Sequence, residues 1–561
     1  MASNQTVDGL PTLDRNGSTG RNYLPSPVKT DSVSFASQET PKATATSSNH
    51  NRQDTVSTFQ GSPIVPPTNK ARTLVMCFDG TGDQFDADNS NIVEFFSILH
   101  KGDPEKQLVY YQAGIGTYTS PKIATPLVSK ISKALDEAVA WNLDAHVMDG
   151  YEFLMQNYRA KDRICIFGFS RGAYTARCLA GMIHKVGLLP TCNHQQVPFA
   201  YKMYTKPDAW GWKQSNAFKK AFSIDVDIEF LGVWDTVNSV GLIPRRLPFS
   251  TSNNIVRTFR HAIALDERRA KFKANMWNRP TQDEAHLGIT EQKLAKVQKK
   301  AEKESKKKKK SVHDCLRLYE NRYSRINTAP TDVEEVWFSG CHCDVGGGSV
   351  SNETIPNLAR IPLRWMIREC FRRESGIIFQ VEGLRNIGLD PASIYPTVLP
   401  RPPPLSPIAA DLLVQRRAKP PAISKNVDDH HADDHDDDTD PLRKDSEASS
   451  TADSDEILLQ MTEEEHELHD ALSPKYDQLK LKKTWWIFEI FPTKNRYQRS
   501  NDEWTIKKTW NLGRGRVIPR QNTNGAKVHR SVKIRMETAY EDGKKYVPKA
   551  TLNLDKVIWV D

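Results

Sequence analysis

Short runs of consecutive apolar residues, separated by segments with helical spacing, constrain the fold of this chain more than any other feature. The runs are "LVMCF" at 74–78, "ICIF" at 164–167, "FLGVW" at 230–234 and "VWF" at 336–338. Strands that are apolar on both faces need cover on both, which is typical of parallel strands connected by helices. We therefore expect an α/β fold with a mainly parallel sheet and helices on both faces.

Composition divides the 561 residues into four parts. Residues 1–70, rich in Ser, Thr, Asn, Pro and Gln, predict a disordered tail. Residues 71–400 predict the main folded domain, with a Lys-rich insertion at 285–313. Residues 401–465 are Pro-rich and then acidic, and predict a disordered linker. Residues 466–561 predict a Trp-rich segment packed on the main domain, in which "KKTWWIFEIFP", "EWTIKKTW" and "HRSVKIRM" indicate short strands.

Charge and cysteine content limit the partners and the compartment. The formal net charge is +9, and Lys306–Lys310 is a run of five lysines. Such a run is either a solvated insertion or a contact for an anionic membrane surface, and we disfavour nucleic acid as the partner. None of the eight cysteines forms a CxxC pair, so we expect no metal site. Without an apolar signal segment or membrane span, we expect an intracellular, cytoplasmic protein.

The stretch "CIFGFSRGAYTARCLAGM" places a serine between a strand and a helix. Gly168 and Gly172 flank Ser170 in a Gly-x-Ser-x-Gly pattern. In a nucleophile elbow the serine backbone is strained, its neighbours must be small, and the next backbone N–H, here that of Arg171, contributes to an oxyanion hole. The alternative is a tight turn with an inert serine. The strand before the motif and the helix after it favour the elbow.

A serine nucleophile needs a base and an acid that orients the base. His342 follows an apolar strand and opens a glycine loop, and Asp235 ends another strand. Asp266 in "IALDERRAKF" is the rival acid, and the sequence leaves this choice open. The loop "FDGTGD" offers the backbone N–H groups of Gly80 and Thr81 as candidates for the second oxyanion donor.

Six stretches, in order, resemble a known family: "LVMCFDGTGD", "VYYQAGIGTY", "GFSRGAYTARCLAGMI", "FLGVWDTVNSVG", "HAIALDERRAKF" and "EVWFSGCHCDVGGG". They resemble the catalytic domain of type VI secretion lipase effectors, over residues 72–373. The C-terminal segment, with "NLGRGRVIP", resembles the fungal branch. The resemblance implies an α/β-hydrolase fold and cleavage of phospholipid acyl esters, with Ser170 as nucleophile, Asp235 as acid and His342 as base.

We therefore expect a serine hydrolase acting on lipid or other small esters, with no cofactor. Two other hypotheses stay open. One is a catalytically inactive binding or scaffold protein on a hydrolase fold. The other is a membrane-surface module that uses the Lys-rich insertion.

Overall fold

The computed structural model describes residues 62–81, 83–114, 137–237, 247–277, 320, 330–407, 461–498, 504–538 and 543–561. The Lys-rich insertion, most of the predicted linker and residues 1–61 of the predicted tail lie outside these ranges. Residues 62–70 lie inside them and contain a short strand paired with residues 379–380. The predicted tail boundary at residue 70 is therefore corrected, because the side chain of Val65 is buried in the core.

The strands are β1 (Ile64–Val65), β2 (Thr73–Phe78), β3 (Gln107–Gln112), β4 (Arg163–Phe169), β5 (Ile228–Trp234), β6 (Val256–Ala264), β7 (Asp332–Phe338), β8 (Phe379–Gln380), β9 (Thr493–Gln498), β10 (Trp504–Thr509), β11 (Ala526–His529) and β12 (Val557–Val560). The main sheet has eight of these strands in the order β12-β11-β7-β6-β5-β4-β2-β3, and its neighbouring strands pair in parallel. This confirms the predicted parallel sheet. β1 pairs with β8, and β9 with β10, in two small antiparallel sheets.

The α-helices are α1 (Asn91–Ser97), α2 (Glu137–Asn157), α3 (Ser170–Val186), α4 (Val197–Thr205), α5 (Ala209–Phe222), α6 (His342–Gly346), α7 (Arg360–Arg372), α8 (Val381–Asn386), α9 (Glu463–Leu472), α10 (Gln478–Leu481), α11 (Trp486–Glu489), α12 (Gln521–Asn524) and α13 (Arg530–Glu537). Short 3-10 helices lie at His194–Gln196, Pro391–Ser393, Lys483–Trp485 and Leu554–Lys556.

Helices cover both faces of the sheet, as the apolar runs require. In β2, Leu74, Met76 and Phe78 pack on one side with residues of α2 and α3. Val75 and Cys77 pack on the other side with residues of α1 and α7. Successive side chains of a strand point to opposite faces, so a run without polar residues supplies both layers of the core.

The C-terminal segment is part of this sheet. β11 pairs with β7, and β12 extends the edge beyond β11. Two of its three predicted strands are wrong, because "KKTWWIFEIFP" forms helical turns and "HRSVKIRM" forms α13. In α13 the guanidinium groups of Arg530 and Arg535 are buried against Glu467 and the carbonyls of residues 471 and 473, so charged residues share its inner face with Val532 and Ile534. The third stretch, "EWTIKKTW", contains β10.

Both ends of the predicted linker are folded. Arg401 makes ion pairs with Glu463, Glu464 and Glu467, which lie on the first turns of α9. The chain therefore leaves the main domain and returns at nearly the same place. Residues 401–407 and 461–465 belong to the folded structure, which corrects the predicted linker bounds.

Candidate active site

Ser170 lies at the sharp junction between β4 and α3. Its backbone has φ of 58°, which is strained for a residue other than glycine. A Cβ on Gly168 would lie 2.6 Å from the carbonyl oxygen of Gly172, and a Cβ on Gly172 would lie 2.2 Å from that of Asp79. Both glycines are therefore needed for close backbone approach. The turn has the geometry of a nucleophile elbow.

The structure brings Ser170, His342 and Asp235 into one hydrogen-bonded chain. The Nε2 atom of His342 lies 2.7 Å from the Ser170 Oγ atom. On the other side of the ring, Nδ1 lies 2.5 Å from Asp235 Oδ2. Asp235 follows β5, and His342 begins α6 just after β7, so three strands deliver the side chains to one edge of the sheet.

Asp235 is completely buried and is held by two further groups. Its Oδ1 atom accepts from the Ala264 amide at 3.0 Å. Arg516 of the C-terminal segment donates from its two terminal nitrogens, to Oδ1 at 2.5 Å and to Oδ2 at 2.9 Å. Arg516 itself is fixed by the carbonyls of Ala264 and Phe272. The carboxylate therefore accepts four hydrogen bonds, including the one from His342.

These contacts set the protonation states of the pair. Burial by itself raises the pKa of Asp235, but the charge of Arg516 and the contact with His342 hold this pKa well below its ordinary value. Burial lowers the pKa of His342 below 6.5, and the hydrogen bond and charge of Asp235 offset part of that shift. At neutral pH, Asp235 is ionised and accepts from Nδ1–H, so the Nε2 lone pair faces the serine hydroxyl.

Asp266, the rival acid, is bound elsewhere. Its Oδ1 atom accepts from Lys475 at 2.9 Å, and its Oδ2 atom accepts from the Tyr546 hydroxyl at 2.6 Å and from the Gly340 amide at 2.8 Å. None of the hydrogen bonds of His342 goes to Asp266 in the described residues. Asp266 therefore joins the C-terminal segment to the main domain.

The predicted oxyanion donors differ in what they bind. The Gly80 amide donates to the Asp79 carboxylate at 2.7 Å, so that donor is already engaged. The Thr81 hydroxyl is buried without a hydrogen-bond partner among the described residues. Arg171 lies in the first turn of α3, directly after Ser170. The Thr81 hydroxyl, rather than the backbone N–H expected from the sequence, and the Arg171 amide are the better candidates. A Cβ on Gly80 would touch the Phe169 ring, which places this loop beside the elbow.

Sequence reasoning missed Arg516, which lies 281 residues from Asp235 along the chain. It also missed the support of the His342 ring, which packs against Phe169 at 4.7 Å and Phe272 at 4.8 Å between ring centroids. The signal available for Arg516 is its position between Gly515 and an apolar pair in "GRGRVI". That pattern indicates a close backbone approach but does not identify what the arginine binds.

No helix in the described ranges is long and apolar enough to cross a membrane. The same ranges contain no group of three or more His, Cys, Asp or Glu side chains arranged to hold a metal ion.

Residues 72–369 match the family model for the type VI secretion system phospholipase effector, Tle1-like, catalytic domain. The chain is 28% identical over 544 residues to the uncharacterized protein YEL023C of Saccharomyces cerevisiae, an alignment that covers 81% of this chain and 77% of the yeast protein.

Two solved structures are also similar. One is the crystal structure of an uncharacterized protein from Pseudomonas aeruginosa, at 18% identity and a TM-score of 0.29, covering 55% of this chain and 46% of that one. The other is the Tle1 effector bound to the VgrG spike of the type VI secretion system, at 16% identity and a TM-score of 0.23, covering 50% and 52%. The chain thus spans about half the length of these two structures.

Proposed function

The chain belongs to the family of type VI secretion phospholipase effector Tle1-like catalytic domains, and we propose that it is a serine hydrolase that cleaves phospholipid acyl esters. The observation that carries the proposal is the hydrogen-bonded chain from Ser170 through His342 to Asp235. Serine, histidine and carboxylate in this order are the groups that activate a hydroxyl for acyl transfer.

In the proposed reaction, the Ser170 Oγ atom attacks the ester carbonyl while His342 Nε2 takes the hydroxyl proton. Asp235 keeps the ring oriented and stabilises the imidazolium that forms. The Arg171 amide and the Thr81 hydroxyl donate hydrogen bonds to the negative oxygen of the tetrahedral intermediate. His342 then gives its proton to the leaving alcohol, and the acyl group stays on Ser170. A water molecule, activated by His342, releases the fatty acid and restores the serine.

The test is labelling of the purified full chain with a fluorophosphonate probe, together with assays on a soluble short-chain ester and a panel of phospholipids. We expect Ser170→Ala to abolish labelling and to lower ester turnover by about 10⁴-fold or more. The exposed Ser97→Ala variant is the matched control and keeps both activities. Equal labelling of wild type and Ser170→Ala would exclude Ser170 as the nucleophile, whereas no labelling of the wild type would favour an inactive scaffold.

A further inference from the structure

Two stretches of the C-terminal segment, 486–491 and 510–512, expose six large apolar side chains, which we call the apolar face: Trp486, Ile487, Ile490, Phe491, Trp510 and Leu512. Ile487 and Ile490 are 58% and 59% exposed. The two stretches that carry these residues touch, because the Leu512 amide donates to the Glu489 carbonyl and a Cβ on Gly513 would lie 3.2 Å from the Trp486 ring. Monomeric proteins rarely expose so many large apolar residues together without a binding role.

The exposed charges that directly precede Trp486 in the chain are positive. They are those of Lys480, Lys482 and Lys483. The one acidic residue between positions 478 and 491 is Glu489, which is completely buried and accepts from the amides of Ala270 and Gly513. This stretch therefore presents apolar and cationic groups to solvent, without an exposed carboxylate.

Aromatic rings connect the apolar face to the candidate active site. The His342 ring packs on Phe272 at 4.8 Å, Phe272 packs on Trp485 at 5.5 Å, and Trp485 packs on Phe488 at 5.8 Å. Trp485 immediately precedes Trp486 in the chain. A surface that engages the apolar face therefore lies two aromatic rings away from the base of the triad.

We propose that the apolar face docks on the surface of an anionic phospholipid bilayer. Aromatic and aliphatic side chains enter the boundary between head groups and acyl chains, and nearby lysines attract anionic head groups. A protein partner would need acidic groups to match the lysines, whereas the bilayer supplies both the apolar layer and the negative charge. The proposal rests on the proposed function for the idea that the bilayer also holds the substrate, but not for the binding itself.

The test is co-sedimentation of the full chain with vesicles, in the Ser170→Ala background so that no lipid is consumed. We expect binding to phosphatidylglycerol/phosphatidylcholine vesicles at low salt, and weaker binding in 0.5 M salt or with phosphatidylcholine alone, because screening removes the lysine contribution. Ile487→Ser combined with Ile490→Ser is expected to weaken binding by about tenfold or more, since each side chain loses its apolar transfer energy. The double variant Lys482→Glu, Lys483→Glu is expected to bind the anionic vesicles more weakly and to bind phosphatidylcholine vesicles as before.

The matched control is Trp210→Ser, because Trp210 is also 59% exposed but lies on α5. This control should keep wild-type binding, and circular dichroism should show that all variants are folded. Equal vesicle binding by wild type and by the Ile487/Ile490 variant would overturn the proposal, whatever the labelling of Ser170 shows. Absence of vesicle binding by the wild type would also overturn it and would favour a protein partner for this face.

The bidentate contact of Arg516 with Asp235 carries a second inference. We propose that Arg516 is a positioning residue for the triad, which makes the C-terminal segment necessary for turnover. Arg516 fixes both oxygens of the carboxylate, and one of those oxygens receives the His342 proton donor. Removing the guanidinium frees the carboxylate to rotate away from Nδ1, and small misplacements of catalytic groups can cost about 10²-fold in rate. This inference also rests on the proposed function.

The test compares Arg516→Ala, Arg516→Lys and the matched control Arg514→Gln, whose side chain is exposed two residues away. We expect Arg516→Ala to lose about 10²-fold in kcat with little change in KM, guanidinium ion to restore part of it, and Arg516→Lys to lie between. The acid limb of the pH–rate profile should move to higher pH in Arg516→Ala, because the carboxylate loses its cation. A folded Arg516→Ala variant with kcat within twofold of wild type would overturn the inference. If Ser170→Ala still abolishes ester turnover, such a result contradicts only the role of Arg516. If Ser170→Ala stays active, the proposed function itself fails.

Discussion

Asp235 and Asp266 occupy nearly equivalent places but bind different parts of the molecule. Asp235 follows β5 directly, Asp266 follows β6 by two residues, and both carboxylates are completely buried. Each also binds the C-terminal segment, Asp235 through Arg516 and Asp266 through Lys475 and Tyr546. The two aspartates differ in their partners within the main domain. Asp235 contacts Nδ1 of His342, whereas Asp266 accepts a hydrogen bond from the Gly340 amide. Burial at a strand end is therefore common to both aspartates, and only the contact of Asp235 with His342 supports the role of triad acid that we propose for it.

The largest effect that tests this comparison is expected from Asp235→Asn. The amide cannot hold the imidazole in the correct tautomer, so kcat for a soluble ester should fall by about 10⁴-fold. The variant also leaves Arg516 without its carboxylate, and breaking a buried ion pair costs about 3–5 kcal/mol of unfolding free energy. Rates should therefore be measured at a temperature where circular dichroism shows the variant folded. Near wild-type turnover would remove Asp235 from the triad.

Asp266→Asn should give the opposite pattern. It removes the charge that binds Lys475 and disturbs the hydrogen bonds from Tyr546 and Gly340, so we expect a loss of about 1–3 kcal/mol in unfolding free energy. The kcat of the folded variant should stay within a few-fold of wild type. Urea unfolding and ester kinetics on the same preparation check both expectations. A large loss of kcat with normal stability would reverse the roles of the two aspartates.

The pH dependence sharpens the comparison further. His342 must be neutral to accept the serine proton, and burial lowers its pKa below 6.5. The rate should therefore be constant at neutral pH and fall as the pH drops through a value below 6.5. Asp235→Asn removes the carboxylate that raises this pKa, so the limb should move to still lower pH. Asp266→Asn should leave the limb in place, and kcat/KM profiles of the three proteins measure this.

Tyr546→Phe should have the smallest effect. It removes one of the hydrogen bonds to Asp266 Oδ2 and leaves the Gly340 amide on the same atom. A buried hydrogen bond to a charged group contributes about 1.5–3 kcal/mol, and the ring keeps its packing, so the loss in unfolding free energy should lie at the lower end. Thermal unfolding measures it. A loss of activity comparable to that of Asp235→Asn would contradict a purely structural role for Asp266.

The parallel sheet could be predicted because several of its strands are uninterrupted apolar runs, which indicate burial on both faces. β6 lacks this pattern, since "VRTFRHAIA" contains Arg260 and His261, which are completely buried in contacts with Glu369, Asp332 and Glu335. Charges that are paired inside the fold look like surface residues in a pattern of hydrophobicity. The same reason explains why a strand was predicted where α13 forms, because its buried arginines hide the helical spacing of its inner face.

Of the candidate site, the serine, the two aspartates and the histidine could be named from strand ends and glycines. The choice between the aspartates could not be made, because both follow strands and the distance to His342 depends on the register of β5, β6 and β7. Arg516 was beyond reach, since its contact with Asp235 joins positions 281 residues apart. Two residues so far apart in the sequence meet only because the C-terminal segment joins the sheet, and no local sequence pattern records that.

The ion pairs of Arg401 with the start of α9 have a practical consequence for engineering. They hold residue 401 beside residues 463–467, so an insertion between positions 407 and 461 starts and ends at points that are already joined. Lengthening a loop whose ends are already fixed adds little free energy, because the closure entropy grows only with the logarithm of length. Residues 408–460 are therefore the place to insert a fluorescent protein or an affinity handle while β11, β12 and Arg516 stay in their sheet.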